Sequence, residues 1–144
     1  MWALGKLEID GLMSFDHAEL DFSGGGVHII YGKNLDVGED KSNGSGKSAI
    51  IEGIGFGITG SPLRKVSIKE LVNDEKKSAT INIELNNVGL GETMRIERML
   101  FRSKSAMAKV FINDEEIANL TSTDEVNKFI MEKIGVSKED LLNF

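Results

Sequence analysis

Ser42-Asn43-Gly44-Ser45-Gly46-Lys47-Ser48 stands between the apolar run Val27-His28-Ile29-Ile30-Tyr31 and the run Ala49-Ile50-Ile51-Glu52. A buried strand, a glycine loop, a lysine, a hydroxyl and then a helix is the order that holds the phosphates of a nucleoside triphosphate. Glycines let successive N–H groups converge on one point, and the helix that follows adds unsatisfied donors and partial positive charge. Lys47 would reach the β- and γ-phosphates, and the Ser48 hydroxyl would enter the shell of a magnesium ion that also takes phosphate oxygens. Gly-Ser-Gly alone is also an ordinary flexible turn, so the flanking strand and helix give the reading its weight.

The spacing departs from the simple pattern. Glycine is wanted five residues before Gly46, and Lys41 stands there, yet Gly32 directly follows the strand. With the nine residues Leu35 to Asn43 lifted out, the chain reads Gly32-Lys33-Asn34-Gly44-Ser45-Gly46-Lys47-Ser48. That satisfies G-x-x-x-x-G-K-[ST] at every position. The segment therefore reads as an insertion, and with Asp36, Glu39 and Asp40 against Lys41 it should be held outward from a site for anions. It fits either a tolerated surface bulge or a regulatory lid.

Composition sets the bounds. A chain of 144 residues, 40% hydrophobic and 28% charged, can bury one good core and resembles neither a disordered nor a fibrous protein. The apolar runs fall short of a bilayer span and no export signal precedes Leu4, so no membrane role is expected. The absence of cysteine excludes disulfides and thiolate metal sites and suits a cytoplasmic location. A net charge of −6 means that any contact with nucleic acid must be local. Arg95, Arg98, Arg102, Lys104 and Lys109 gather on a predicted hairpin; they read as a solvated strand face or, at Arg102, Lys104 and Lys109, as phosphate contacts to DNA.

Leu4 to Ile9 and Ala18 to Phe22 alternate as half-buried strands, while Val27 to Tyr31 reads as a central strand covered on both faces. A helix is predicted from Lys47 to Ile58. Its Gly53, Gly55 and Gly57 each cost about 1 kcal/mol against alanine, which close packing on the sheet would offset. Ser67 to Val72 reads as a short helical turn. Ala79 to Leu85, Thr93 to Arg102 and Met107 to Ile112 form an antiparallel meander. A helix from Asp124 to Ile134 takes Thr123 as N-cap and Gly135 as its stop. Ser137 to Asp140 begins another, and the apolar Leu141-Leu142-Asn143-Phe144 leads to the expectation of an N-terminal piece of something longer. His17 and His28 have no second ligand at sequence spacing and read as structural, and Trp2 as a core or capping contact.

Several separated stretches resemble one family, the SMC-like ABC ATPases that include the SbcC-type repair proteins and the large subunits of phage recombination endonucleases. Leu7 to Phe15 resembles their opening strand and turn, Ile29 to Asn34 with Asn43 to Ser48 their strand and Walker A loop, and Ile51 to Pro62 their following helix and exit. Arg64 to Asn73, Thr80 to Leu85 and Arg95-Ile96-Glu97-Arg98 match the rest of that half-domain. The resemblance implies an α/β fold with α+β character: residues 1–144 as the N-terminal lobe of an ABC-type P-loop NTPase head, a mixed sheet around the P-loop helix plus an antiparallel meander. It implies ATP and Mg2+ as cofactors, with Gly32, Asn43, Gly44, Ser45, Gly46, Lys47, Ser48 and Ala49 at the nucleotide, Ser48 on the metal, and Ser14 in a turn that approaches it. It also implies completion by the chain's own C-terminal lobe beyond a coiled coil, a second head paired on ATP, an SbcD-type nuclease partner and double-stranded DNA. Many relatives carry arginine where Met13 stands.

Other parts of such a head are missing. No glutamine loop, no serine-glycine-rich signature and no Walker B strand follows. Val110-Phe111-Ile112-Asn113-Asp114-Glu115 imitates the last, but Asn-Asp is turn chemistry and a hairpin turn is expected there. Without a carboxylate to orient water, the isolated chain should bind ATP and not hydrolyse it. A stand-alone nucleotide switch is the alternative; a P-loop kinase is disfavoured because the meander interrupts βαβ alternation.

Overall fold

A computed structural model describes residues 1–24, 28–34 and 39–135, with 28–34 and 39–46 described by backbone path alone. The expected helix start at Ser137 to Asp140 lies outside these residues. Among the described residues seven strands form one sheet: β1 (Ala3–Asp10), β2 (Phe15–Asp21), β3 (His28–Asn34), β4 (Ser78–Asn87), β5 (Glu92–Phe101), β6 (Met107–Ile112) and β7 (Glu115–Glu116). Their order is β3-β2-β1-β4-β5-β6-β7, and every pairing is antiparallel. The α-helices described, α1 (Glu39–Thr59) and α2 (Thr123–Ile134), pack against the strands and against each other. A 3-10 turn spans Ile68–Leu71.

Period-two patterning decides which side is covered. Leu7 and Ile9 of β1, Ala18 and Leu20 of β2, and Ile81, Ile83 and Leu85 of β4 are buried, with Phe56 and Ile58 of α1 and Val126 and Ile130 of α2 in the same core. The alternate residues Lys6, Glu8, Asp10, His17, Glu19, Thr80 and Asn82 project from the opposite face of the pleat. On β5 the inward positions are Met94, Ile96, Arg98 and Leu100, a strict alternation in which a guanidinium takes one apolar place.

The expected meander forms, and Asn113 and Asp114 make the turn between β6 and β7 with φ of 50° and 68°. Two consecutive left-handed residues are the signature of a tight hairpin turn, so this stretch is not a Walker B strand. Two expectations need correction. The sheet is antiparallel among the described residues rather than mixed, and β3 is not central: it pairs with β2 alone, at the sheet's end. Its apolar composition suggested cover on both sides, but a short connection from β2 places it beside its sequence neighbour.

The glycines of α1 permit close contact. A Cβ at Gly53 would lie 3.1 Å from Ile9 Cγ2, and one at Gly57 would lie 3.2 Å from Ile83 Cγ2. The helix axis thus rests on β1 and β4 at a distance that larger side chains would prevent, which is the close packing expected of these residues. At α2 the N-cap is Ser122 rather than Thr123: its side-chain oxygen accepts the Glu125 N–H at 3.2 Å. Gly135 closes the helix in the left-handed conformation, as expected. Ser122→Ala should lower stability by about 1 kcal/mol, read as an earlier urea midpoint at unchanged slope, whereas Thr123→Ala should leave that midpoint nearly in place.

Candidate functional site

Lys47, Ser48 and Ala49 follow one another on α1, and their surroundings differ sharply. Lys47 is exposed, Ser48 half-buried and Ala49 fully buried, so the helix meets the core directly after the two residues with phosphate and metal chemistry. Gly32 lies on β3 opposite Ala18. Asn43, Gly44, Ser45 and Gly46 were expected in a loop, and the backbone here continues the helix through them to a start at Glu39 instead of Lys47. Local chemistry accounts for this: Glu39 and Asp40 form an acidic first turn, which the helix dipole favours, and helical geometry satisfies the amides internally. Only the end of the acidic segment is described, as that first turn.

Ser14 ends a turn fixed at several points. Gly11 and Met13 have φ of 64° and 52°. The Met13 N–H donates to Leu71 O at 2.7 Å, the Asn73 N–H to Gly11 O at 2.8 Å, and Asn73 Nδ2 to Met13 O. Leu12 in the same turn lies against α1, 3.5 Å from where a Gly53 Cβ would be. Ser14 Oγ is buried with no hydrogen-bond partner among the described residues. The orphaned Ser14 hydroxyl leaves a polar group open in this turn, and a phosphate-and-magnesium ligand matches the chemistry of Lys47 and Ser48 on α1, while the helical path of residues 43–46 does not itself converge its amides.

The exit from α1 is secured by Glu52, which the sequence did not single out. Its carboxylate is 2% exposed; Oε2 accepts the Leu63 N–H at 2.6 Å, and Oε1 faces Arg64 Nε at 3.5 Å.

The basic residues of the hairpin divide by environment. Arg98 leaves the solvated face expected for it: 2% exposed, it donates from Nε to Gly57 O at 2.8 Å and lies over the Phe56 ring. Its Nη2 has no partner among the described residues, and burial pushes its pKa down to about 10, which leaves it charged at neutral pH. Arg102 donates to the carbonyls of Val72, Asn73 and Lys76, tying the end of β5 to the preceding loop. Lys104 rests its ammonium over the Phe101 ring at 4.3 Å, and Lys109 is exposed opposite Glu97.

Trp2 acts as a capping contact, its indole N–H donating to Lys133 O in the last turn of α2 at 3.1 Å. His17 is more connected than its sequence neighbours suggested. It hydrogen-bonds Asp10 and Glu19, and the Asp10 carboxylate, with Glu19 and Glu8 adding to it, raises the imidazole pKa above its ordinary value against a smaller opposing effect of burial. Strand register brings these carboxylates together across the β1–β2 pair, a relation that ligand spacing along the chain does not reveal.

A family model for the AAA domain matches residues 6–144. The chain belongs to that family, and the glycine-lysine-serine stretch within α1, directly ahead of its buried portion, agrees with the P-loop ATPase class. Among curated proteins it is similar to the DNA replication and repair protein RecF of Bifidobacterium adolescentis, 33% identical over 93 residues that make up 65% of this chain. The matched stretch covers about a fifth (21%) of that relative's length. No helix among the described residues is long and apolar enough to cross a membrane.

Proposed function

We propose that this chain is the Mg-ATP-binding lobe of a cytoplasmic DNA repair or recombination ATPase of the SbcC-like kind. The observation that carries the reading is the placement of Lys47 and Ser48: solvent-accessible residues of phosphate and magnesium chemistry immediately ahead of the buried anchor Ala49. AAA-domain membership and the similarity to a replication and repair protein point the same way. Lys47 would bind the β- and γ-phosphates, Ser48 would ligate Mg2+, and Gly32, Asn43 and the amides of residues 44–49 would surround the phosphates once residues 43–46 leave the helical path. The Ser14 hydroxyl would gain a partner at the edge of the same ligand.

The lobe would be completed by a C-terminal lobe of its own chain and by a second head. In support, β3 pairs on one side only among the described residues, and an unpaired ladder invites a further strand. DNA tethering, an SbcD-type nuclease partner and double-stranded DNA as substrate belong to this proposal, with Lys104 and Lys109 better disposed than the engaged Arg102 to meet phosphates. Calorimetric titration with Mg-ATP, alongside a phosphate-release assay, tests it. Saturable binding with negligible turnover is expected. Absence of binding at millimolar nucleotide refutes the nucleotide site, and turnover at the rate of an assembled ATPase refutes its incompleteness for hydrolysis.

A further inference from the structure

The sheet face opposite the core carries a cluster that the nucleotide site does not use. Register sets Glu8 opposite Glu19 and Asp10 opposite His17. His17 Nε2 lies 3.1 Å from Glu19 Oε1 and 3.8 Å from Glu8 Oε2, and one ligand-type atom from each of the three residues falls within 4.8 Å of the others. Donors bonded at about 2.0–2.2 Å to a tetrahedral zinc ion stand about 3.4 Å apart. The two separations measured from Nε2 bracket that spacing.

The outer partners are also in place. His17 Nδ1 hydrogen-bonds Asp10 Oδ1, which leaves Nε2 as the nitrogen directed at the two glutamates. Asp10 Oδ2 in turn accepts from Thr80 Oγ1 at 3.1 Å, and Glu8 Oε1 accepts from Asn82 Nδ2 at 3.2 Å. A carboxylate behind the imidazole and an amide behind a ligating carboxylate are the contacts that orient metal ligands and raise their basicity. Glu8 and Glu19 also border a surface cavity of about 280 Å³, which gives water access to complete a coordination shell.

We infer that Glu8, His17 and Glu19 form a binding site for a divalent transition-metal ion of the zinc class, on the sheet face away from the helices. One imidazole with two carboxylates is a mixed nitrogen-oxygen set that suits zinc better than magnesium. The ion would clasp β1 to β2 close to the turn that carries Ser14. This site stands independently of the nucleotide reading, since it shares no residue with it.

The test is calorimetric titration of the chain with Zn2+ alone, in excess Mg2+ and without nucleotide, with the imidazole signals of both histidines followed by NMR. One zinc ion per chain and a shift confined to His17 are expected. His17→Gln and Glu19→Gln should each weaken binding at least tenfold, Asp10→Asn by about 10- to 100-fold, and His28→Gln should leave it unchanged. Circular dichroism of each variant separates loss of the site from loss of the fold. No zinc binding by the unaltered chain, equal binding by His17→Gln in a folded variant, or displacement of zinc by equimolar Mg2+ would overturn the inference.

Discussion

Lys47→Ala should lower Mg-ATP affinity by about 100-fold while the melting temperature stays where it was. A charge-assisted contact to phosphate contributes about 1.5–3 kcal/mol, and each 1.4 kcal/mol is tenfold in affinity. The fold has no matching stake in this side chain, because Lys47 is exposed and the buried surface of α1 begins at Ala49. Titration calorimetry and thermal unfolding of the same sample read the two quantities side by side. Unchanged affinity would remove the nucleotide site from residues 43–49, and a fall in melting temperature of many degrees would show that the lysine supports the fold instead.

Gly44→Ala combined with Gly46→Ala should act in opposite directions on stability and on binding. Five glycines occupy the 21 residues of α1, and those at 44 and 46 belong to the segment that must leave the helix for its amides to converge on a phosphate. Alanine favours the helical path by about 1 kcal/mol at each position, or about 2 kcal/mol for the pair. If binding requires the unwound form, apparent affinity falls in proportion to its population, about 30-fold for that energy. The variant should therefore melt higher, show more helix by circular dichroism and bind Mg-ATP more weakly. Retained affinity in a variant of increased helicity would mean that nucleotide binds without any such rearrangement. Gly53 and Gly57 are unsuitable for this experiment, since a Cβ there meets Ile9 and Ile83 directly.

Much of the architecture was legible in the sequence because it is local. The alternation in β1 and β4, the Asn113-Asp114 turn and the Gly135 stop each depend on a few neighbouring residues, and each formed as expected. What escaped depends on partners distant in the chain. Arg98 stands in phase with Met94, Ile96 and Leu100 on β5, but a guanidinium's charge argues against an inward place until α1 offers the Gly57 carbonyl. The grouping of Glu8, His17 and Glu19 requires the register of a hairpin whose turn is tied to Leu71 and Asn73. The composition of β3 points to the middle of the sheet because apolar residues report the need for cover without saying what supplies it. The start of α1 at Glu39 is not legible in the sequence because a glycine-rich segment is compatible with both loop and helix, and composition alone does not decide between them.

The indole N–H bonded to Lys133 O has a practical consequence. The chain has one tryptophan, and that residue, just ahead of β1, bonds to the final turn of α2, 131 positions away. Its emission is thus an unlabelled optical gauge of whether the two ends of the described fold remain together. Any ligand, neighbouring domain or truncation that pries α2 loose would change the colour and intensity of that single fluorophore.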